Sequence, residues 1–279
     1  MKEEATPRYL FFDGFWLKVL AFLLMTLDHL GVFLYRVNGP YQAAEVLRIF
    51  GRLAFPLFVF LLAEGMRLSH HKGKYVLRVL LAYAIITIPE TIVVYVPALS
   101  QMANVTPTTL DAHPFTDILF LGLVLFCLTL KGPKKLLALL PAGFILASFF
   151  VGVFAPSTPY FPLYIRSGYG LYGLLMALLF FGINVLLDKK RPDATRLERN
   201  FGNLLVPGVA LSITFLVGFM LQNQENLTWL LWESYAALSG IFLLFYNGKR
   251  GYDATWWRIF SYSYFLLHMA ILYLIFAFI

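Results

Sequence analysis

Residues 15–37 read FWLKVLAFLLMTLDHLGVFLYRV, an apolar run long enough to cross a bilayer as a helix. Asp28 and His29 lie inside this run, and a second histidine, His268, lies in the last apolar run, 260–279. Ionisable side chains are costly at membrane depth, and they usually face a bundle interior, a water-filled cavity or a functional site. Two histidines in such segments therefore predict proton chemistry inside the membrane.

The composition is that of a membrane protein along the whole chain. Hydrophobic residues make up 60% of the 279 residues, charged residues make up 13%, and the mean hydropathy is +0.74. Soluble domains carry about 25% charged residues, so we expect an all-α, polytopic transmembrane bundle that forms a single domain over 1–279. The lone Cys127 excludes an intrachain disulfide and a cysteine-based metal cluster. No zinc-ligand spacing or glycine-rich phosphate loop is present, and we expect no metal.

Nine apolar segments are predicted to span the membrane, at 15–37, 47–68, 75–97, 114–131, 134–154, 163–187, 204–222, 227–246 and 257–278. The N-terminal residues lack the pattern of a cleaved secretory signal, so we expect the first span to stay in the mature protein. The connection 99–113 is predicted to be a polar loop or a short re-entrant piece. The hydrophilic stretch 188–203 is the longest charged segment and is predicted to separate two halves.

The distribution of Lys and Arg predicts the orientation, because these residues accumulate on the cytoplasmic side of membranes. With a cytoplasmic N-terminus, the cytoplasmic segments hold all but four of the 22 basic residues, and the outer loops 155–162 and 222–227 hold none. We therefore expect a multi-pass protein of the cell membrane. In a bacterium this would be the cytoplasmic membrane. The net charge of +7 follows from this distribution, so we expect the lipid bilayer and not nucleic acid as a partner. The four exceptions lie toward the outer ends of spans: Arg36, Arg48, Arg52 and Arg166.

The ionisable residues within the spans also fall in one layer. At about 1.5 Å rise per residue, Asp28 and His29 lie just past the midplane, and Arg48 and Arg52 lie in the outer third of their span. The two arginines are four residues apart and share one helix face, which suits binding of one anion or lining of one cavity. Asp28 and His29 are about 100° apart around their helix. We therefore expect Asp28 to pair with an arginine of the second span, leaving His29 free toward a cavity.

Each of these residues has a structural alternative. The charges of the outer half could pair with one another only to fix helix packing. His268 could be a packed residue that hydrogen-bonds a neighbouring helix. Glu64 could line a cytoplasmic entrance or pair with Arg67, three residues later. The role of Glu233, alone in the eighth span, is open.

Several stretches of the chain resemble the TraX family of membrane acetyltransferases. They are KVLAFLLMTLDHLG at 18–31, GRLAFPLFVFLLAEG at 51–65, KYVLRVLLAYAIITIPE at 74–90 and YSYFLLHMAILYL at 262–274. The chain also resembles the heparan-α-glucosaminide acetyltransferases and the membrane acyltransferase-3 proteins in having a histidine within the first membrane span. The region 100–257 shares only its hydrophobicity with the family.

The resemblance implies acetyl transfer from acetyl-CoA, as acyl donor, to an acceptor, which for conjugative members is the N-terminus of pilin. We expect a peptide N-terminus or a glycan, reacting through an amine or a hydroxyl. The phosphates of cytoplasmic acetyl-CoA are expected to bind Lys72, Lys74 and Arg78, unless these residues only set the topology. The oligomeric state, a homo-oligomer included, is open.

His29 is the expected general base, because the reference pKa of imidazole, about 6.5, lies near the operating pH. Asp28 or Arg52 would set the field of the cavity, and an arginine or His268 would stabilise the oxyanion. A covalent acetyl-histidine relay stays open beside direct transfer. The candidate substrate-binding residues are Arg48, Glu64 and Glu90.

A proton-coupled transporter is the main alternative function, since transporters also need buried ionisable residues and often have two similar halves. The DH and GRLAFPLF motifs have no counterpart after residue 150, which favours the acetyltransferase. A non-catalytic membrane scaffold is a third possibility, but it leaves the charges of the outer half without a role.

Overall fold

The computed structural model describes residues 7–103, 112–158, 160–221 and 231–276. Within these ranges the chain is almost entirely helical, and an isolated parallel β-bridge joins Phe12 to Tyr246. The helices are numbered along the chain: α1 Gly14–Arg36, α2 Tyr41–Gly51, α3 Ala54–Leu68, α4 Lys72–Tyr95, α5 Pro97–Ala103, α6 Pro114–Leu128, α7 Leu139–Phe154, α8 Gly170–Lys190, α9 Arg196–Met220, α10 Leu231–Leu244 and α11 Thr255–Phe276. Short 3₁₀ segments occur at Gly132–Ala138, Leu163–Ile165 and Ser234–Ser239.

Seven helical segments of the described residues are long and apolar enough to cross a membrane. They are Gly14–Arg36, Tyr41–Leu68, Lys72–Tyr95, Gly132–Phe154, Leu163–Lys190, Arg196–Met220 and Thr255–Phe276, and the shorter apolar helices α6 and α10 add to them. Each of the nine predicted spans corresponds to one of these segments. The predicted all-α, polytopic membrane bundle is therefore confirmed, while the cytoplasmic N-terminus stays a prediction.

The second span differs from its prediction at its start and in its middle. The helix begins at Tyr41, six residues before the predicted 47, directly after Pro40 at its N-terminus. Gln42 and Glu45 lower the hydropathy of residues 41–46, which is why the apolar pattern missed them. The span is also broken into α2 and α3 at Arg52 and Leu53.

The seventh span begins eight residues before its predicted start at 204. Thr195 and Glu198 form a capping box, each side chain accepting a hydrogen bond from the backbone of the other, and the helix begins at Arg196. The hydrophilic stretch 188–203 is therefore partly helix, and its amides are buried in the bundle: Asn200 and Asn203. In the predicted loop 99–113, helix α5 continues to Ala103, and residues 104–111 lie outside the described ranges.

The chain divides into two compact units. Unit 1 comprises Met1–Leu61 and Leu179–Ile279, and unit 2 comprises Leu62–Leu178. The prediction of a single domain over the whole chain stays a prediction.

In unit 1 the segment before α1 is fixed by backbone pairing. The N–H of Phe12 donates to the carbonyl oxygen of Phe245 at 3.0 Å, and the N–H of Asn247 donates to the carbonyl oxygen of Phe12 at 2.7 Å. Asp13 then caps α1 by accepting from the N–H of Trp16. The start of the first span is thereby joined to the connection before the last span.

Two glycines let α1 and α2 pack at very short distance. A Cβ atom added to Gly31 would lie 2.8 Å from the carbonyl oxygen of Ala44. A Cβ atom added to Gly51 would lie 2.6 Å from the Cα atom of Asp28. Small residues allow such close backbone approach between membrane helices, and here they bring Asp28 against the end of α2.

In unit 2, α4 packs against α6 and α6 packs against α7. Asp117, in the first turn of α6, is buried and accepts hydrogen bonds from the Ser167 hydroxyl and from the backbone N–H groups of Gly168 and Tyr169. Arg166 is buried as well and donates to three backbone carbonyl oxygens, those of Pro156, Thr158 and Phe161. These two buried charges therefore fix the conformation of a loop.

The close crossing predicts that Gly51→Ala destabilises the protein. The added methyl group overlaps the backbone of Asp28, and overpacking of this kind costs about 1–3 kcal/mol. We expect a lower melting temperature of the purified protein in detergent. Gly143→Ala in α7 is the matched control, because nothing lies within 4 Å of its added Cβ, and it should keep or raise the melting temperature. Equal melting of Gly51→Ala and the wild type would contradict the requirement for a close crossing.

Candidate functional site

Two histidines from the first and last spans are in contact in unit 1. Nε2 of His268, on α11, lies 3.0 Å from Nδ1 of His29, on α1. The same Nδ1 atom of His29 lies 3.0 Å from the carbonyl oxygen of Met25. Nδ1 of His268 lies 2.8 Å from the carbonyl oxygen of Tyr264. The structure thus brings together two residues that the sequence predicted separately.

The two carbonyl contacts decide which ring nitrogens carry hydrogen. A carbonyl oxygen can only accept, so Nδ1 of each ring is assigned as the N–H donor. Nε2 of neutral His268 then carries no hydrogen, and its lone pair accepts a hydrogen bond from the Nδ1–H of His29. Neutral His29 keeps its own lone pair on Nε2, an atom that hydrogen-bonds to none of the described residues. The network therefore orients His29 to accept a proton at Nε2.

Aromatic packing holds both rings in place. The ring of Tyr264 stacks on His268 with centroids 5.2 Å apart, and its hydroxyl lies 2.7 Å from Oγ1 of Thr26. Phe265 meets the His29 ring edge to face at 5.7 Å. His268 is buried and His29 is half-buried. The His29 ring is therefore constrained by α11 while part of its surface stays accessible.

A buried ion network lies on the other face of α1. Arg52 donates from Nη2 to Oδ1 of Asp28 at 2.8 Å and from Nη1 to Oε1 of Glu233 at 2.6 Å. Arg52 is 8% exposed and Glu233 is fully buried. The predicted pairing of Asp28 with an arginine of the second span is thereby confirmed. Nε of Arg48 lies 3.8 Å from the same Asp28 oxygen, so both predicted arginines face Asp28.

Glu233 is the residue of this network that sequence analysis left without a role. It is an acidic residue in an otherwise apolar segment. It lies near the start of α10, directly after an outer loop in the predicted topology. In the predicted topology Glu233 and Arg52 lie at a similar depth in the membrane, and this was the one feature of the sequence that could have suggested their pairing. The sequence could not pair the two residues, because they are separated by 181 positions.

A cavity of about 110 Å³ opens beside the ion network and is lined by Tyr35, Arg48, Arg52 and Trp232. The guanidinium of Arg48 lies over the Tyr35 ring, 5.9 Å from its centroid. His29 does not line this cavity. Nδ1 of His29 is hydrogen-bonded to α1 and α11, and Nε2 is the ring atom left available. The expectation that His29 is free toward a cavity stays a prediction.

The other predicted site residues lie in unit 2. Glu64 accepts two hydrogen bonds from Arg67, at 2.8 and 2.9 Å, so the pairing that the sequence allowed is confirmed. Oε2 of Glu90 lies 3.4 Å from Nε2 of buried His113, and that nitrogen is 3.0 Å from Oγ1 of Thr87. The predicted substrate-binding roles of Glu64 and Glu90 stay predictions.

The predicted acetyl-CoA-binding residues lie at the start of α4. Nζ of Lys72 donates to the carbonyl oxygen of Ser69 at 2.9 Å. Lys74 and Arg78 are exposed, so their charges are available to a phosphate group. Within the described ranges, no group of three or more His, Cys, Asp or Glu side chains is placed to hold a metal ion.

Comparison with known proteins supports the resemblance seen in the motifs. The sequence profile of the family described as TraX protein matches residues 14–276. The chain belongs to the TraX family. It is also 42% identical over 69 residues to a probable fimbrial assembly protein FimC, serogroup H1, from Dichelobacter nodosus, a match over 25% of this chain and 28% of that protein. The chain thus matches well under two thirds of this relative, and no solved structure is significantly similar to it.

The ion network predicts that Glu233→Ala strongly destabilises this TraX-family protein. Removing one partner of a buried ion pair leaves an uncompensated charge, which costs about 3–5 kcal/mol. Asp193→Ala is the matched control, because its carboxylate is 77% exposed and lies 3.7 Å from Arg191 in a surface pair. We expect a large fall in melting temperature for the first variant and almost none for the second. Similar melting of both variants would show that Arg52 does not depend on Glu233.

Proposed function

We propose that this protein is an integral-membrane acetyltransferase. It moves the acetyl group of cytoplasmic acetyl-CoA to an amine or hydroxyl acceptor, a peptide N-terminus or a glycan, at or beyond the outer face of a bacterial cytoplasmic membrane. The observation that carries the proposal is the paired histidines, which leave Nε2 of His29 as a proton acceptor on a half-buried ring. Membership of the TraX family supports the same class of reaction.

In the proposed step the acceptor nitrogen or oxygen attacks the carbonyl carbon of the thioester. Nε2 of His29 takes the proton of the attacking group, and the tetrahedral intermediate collapses by breaking its carbon–sulfur bond. The leaving CoA thiolate then takes the proton back from the imidazolium. The products are the acetylated acceptor and CoA, so the base is regenerated in each cycle.

Hydrogen-bond acceptors and one carboxylate next to His29 favour the imidazolium that forms during this step. Its Nδ1–H already donates toward His268 and the Met25 carbonyl, so protonation at Nε2 requires no rearrangement of the ring. Asp28 is the adjacent residue, and its carboxylate favours a positive charge on the ring, although it also pairs with Arg52 and faces Arg48. Preorganised charges of this kind stabilise charge that develops in the transition state.

The donor is proposed to enter from the cytoplasmic side, since acetyl-CoA is made there. Its phosphates would bind Lys72, Lys74 and Arg78, because lysine binds phosphate as a point charge and arginine as a fork. Thermal stabilisation by acetyl-CoA tests this binding, because a ligand of the folded state raises the melting temperature. A proton-coupled transporter of another solute should show no such shift.

His29→Ala is expected to reduce acetyl transfer by about 10²–10⁴-fold, the usual contribution of a positioned general base. The measurement is transfer of labelled acetyl groups from acetyl-CoA by the purified protein. His70→Ala is the matched control, because His70 is exposed and outside the site, and it should keep wild-type turnover. Unchanged melting of His29→Ala would show that it folds, and wild-type turnover in that folded variant would rule out His29 as the base.

His268→Phe is expected to give a smaller loss, about 10–100-fold, the effect typical of removing an outer partner that orients a reactive group. Phenylalanine keeps the aromatic stack on Tyr264 but removes the Nε2 acceptor for His29. We expect His268→Gln, whose side-chain oxygen can accept a hydrogen bond, to recover part of the activity. A loss in His268→Phe equal to that in His29→Ala would instead give His268 a direct part in the reaction.

A further inference from the structure

The cavity beside the ion network lies farther along α1 than the proposed base. Tyr35 follows Asp28 by seven residues, so the two side chains share one face of the helix. It follows His29 by six residues, a rise of about 9 Å toward the end of α1. In the predicted topology this is the outer direction. The cavity therefore lies on the side from which an acceptor, and not cytoplasmic acetyl-CoA, would approach.

The two arginines of the cavity differ in what they can still bind. Arg52 is buried and donates to both Asp28 and Glu233. Arg48 is different, because its side chain is 33% exposed and its guanidinium makes no hydrogen bond to the residues that the structure describes. Its Nε atom lies 3.8 Å from Oδ1 of Asp28, which is beyond hydrogen-bonding distance. The N–H groups of Arg48 are therefore donors available to the cavity.

The size of the cavity limits its occupant to one small group. Its volume, about 110 Å³, is below the roughly 150 Å³ of an engineered protein cavity that binds benzene. Pockets for complete small molecules measure about 300–1,000 Å³. The nucleotide part of acetyl-CoA is far too large for this space. A carboxylate or a phosphate group fits it.

We propose that this cavity binds a carboxylate or phosphate group of the acceptor, with Arg48 as the binding residue, so that the protein acetylates anionic acceptors. The fork of a guanidinium matches both oxyanions, and Tyr35 and Trp232 form aromatic walls around it. The proposal rests on the proposed acetyl transfer and adds to it the chemical class of the acceptor.

The experiment compares acceptors that differ in a single anionic group. Glycine, γ-aminobutyrate and ε-aminocaproate are paired with their carboxamides, and phosphoethanolamine is paired with ethanolamine. Transfer from labelled acetyl-CoA by the purified full-length protein should favour the anionic member of at least one pair by about 10–100-fold in kcat/KM, the effect of a charge-assisted hydrogen bond. The length of the best acceptor then reports the distance from Arg48 to the reacting thioester.

In Arg48→Gln the ratio of kcat/KM between the anionic and the neutral member of a pair should fall close to one, because KM rises for the anionic acceptors. Arg36→Gln is the matched control, because Arg36 is an exposed arginine next to Tyr35 at the end of α1 and does not line the cavity. This variant should keep the preference for anionic acceptors. No preference in the wild type would overturn the proposal. An equal fall of kcat for charged and neutral acceptors in Arg48→Gln would also overturn it, because Arg48 would then stabilise the oxyanion.

A binding measurement separates this proposal from the proposed function. The N-acetylated carboxylates, which are the products of the reaction, should raise the melting temperature of the wild type but not of Arg48→Gln, and their carboxamides should raise neither. Acetyl transfer without discrimination between charged and neutral probes would leave the acetyltransferase standing and remove the anionic acceptor. Arg48-dependent stabilisation by phosphatidylglycerol, with none by the products, would assign the cavity to a lipid headgroup and also overturn the proposal.

Discussion

The buried guanidinium of Arg52 is the constraint on which unit 1 depends. A charge inside a membrane bundle is stable only when it is paired, and Arg52 has a carboxylate on each of two sides, from Asp28 and Glu233. These residues belong to α1 and α10, so one side chain joins three parts of the chain that are distant in sequence. Arg52 is also the C-terminal cap of α2, where the negative end of the helix dipole favours a cation. The break between α2 and α3 therefore coincides with the charge that the bundle must neutralise.

The short distance between α1 and α2 makes this pairing possible. Gly51 directly precedes Arg52, and its missing side chain leaves room for the backbone of Asp28. Hydrophobic burial does not drive helices together within lipid, so close packing of small residues and polar contacts supply the association. Here both occur at adjacent positions. The glycine brings the helices close enough for the arginine to reach the carboxylate, and the ion pair then holds them at that distance.

Composition and hydropathy were sufficient for the fold class, because each of the nine apolar runs corresponds to a helix. Helix periodicity was sufficient to predict that Asp28 pairs with an arginine of the second span, because the two spans are consecutive in sequence. Two features escaped the sequence for physical reasons. Local capping by Thr195 and Glu198 extended α9 into a polar stretch where hydropathy carries no signal. The pairing of Arg52 with Glu233 depends on the packing of α10, and no local pattern encodes it.

The adjacent residues Asp28 and His29 connect the ion network to the histidine pair. They point about 100° apart around α1, one toward Arg52 and the other toward His268. Rotation of α1 in either direction would weaken one of these contacts, so the two together fix the rotation of the helix. The direction of Nε2 of His29 is therefore set by residues that do not touch that atom. Rigid support of this kind is what a reactive group requires for preorganisation, and here it comes from charged and aromatic side chains on transmembrane helices.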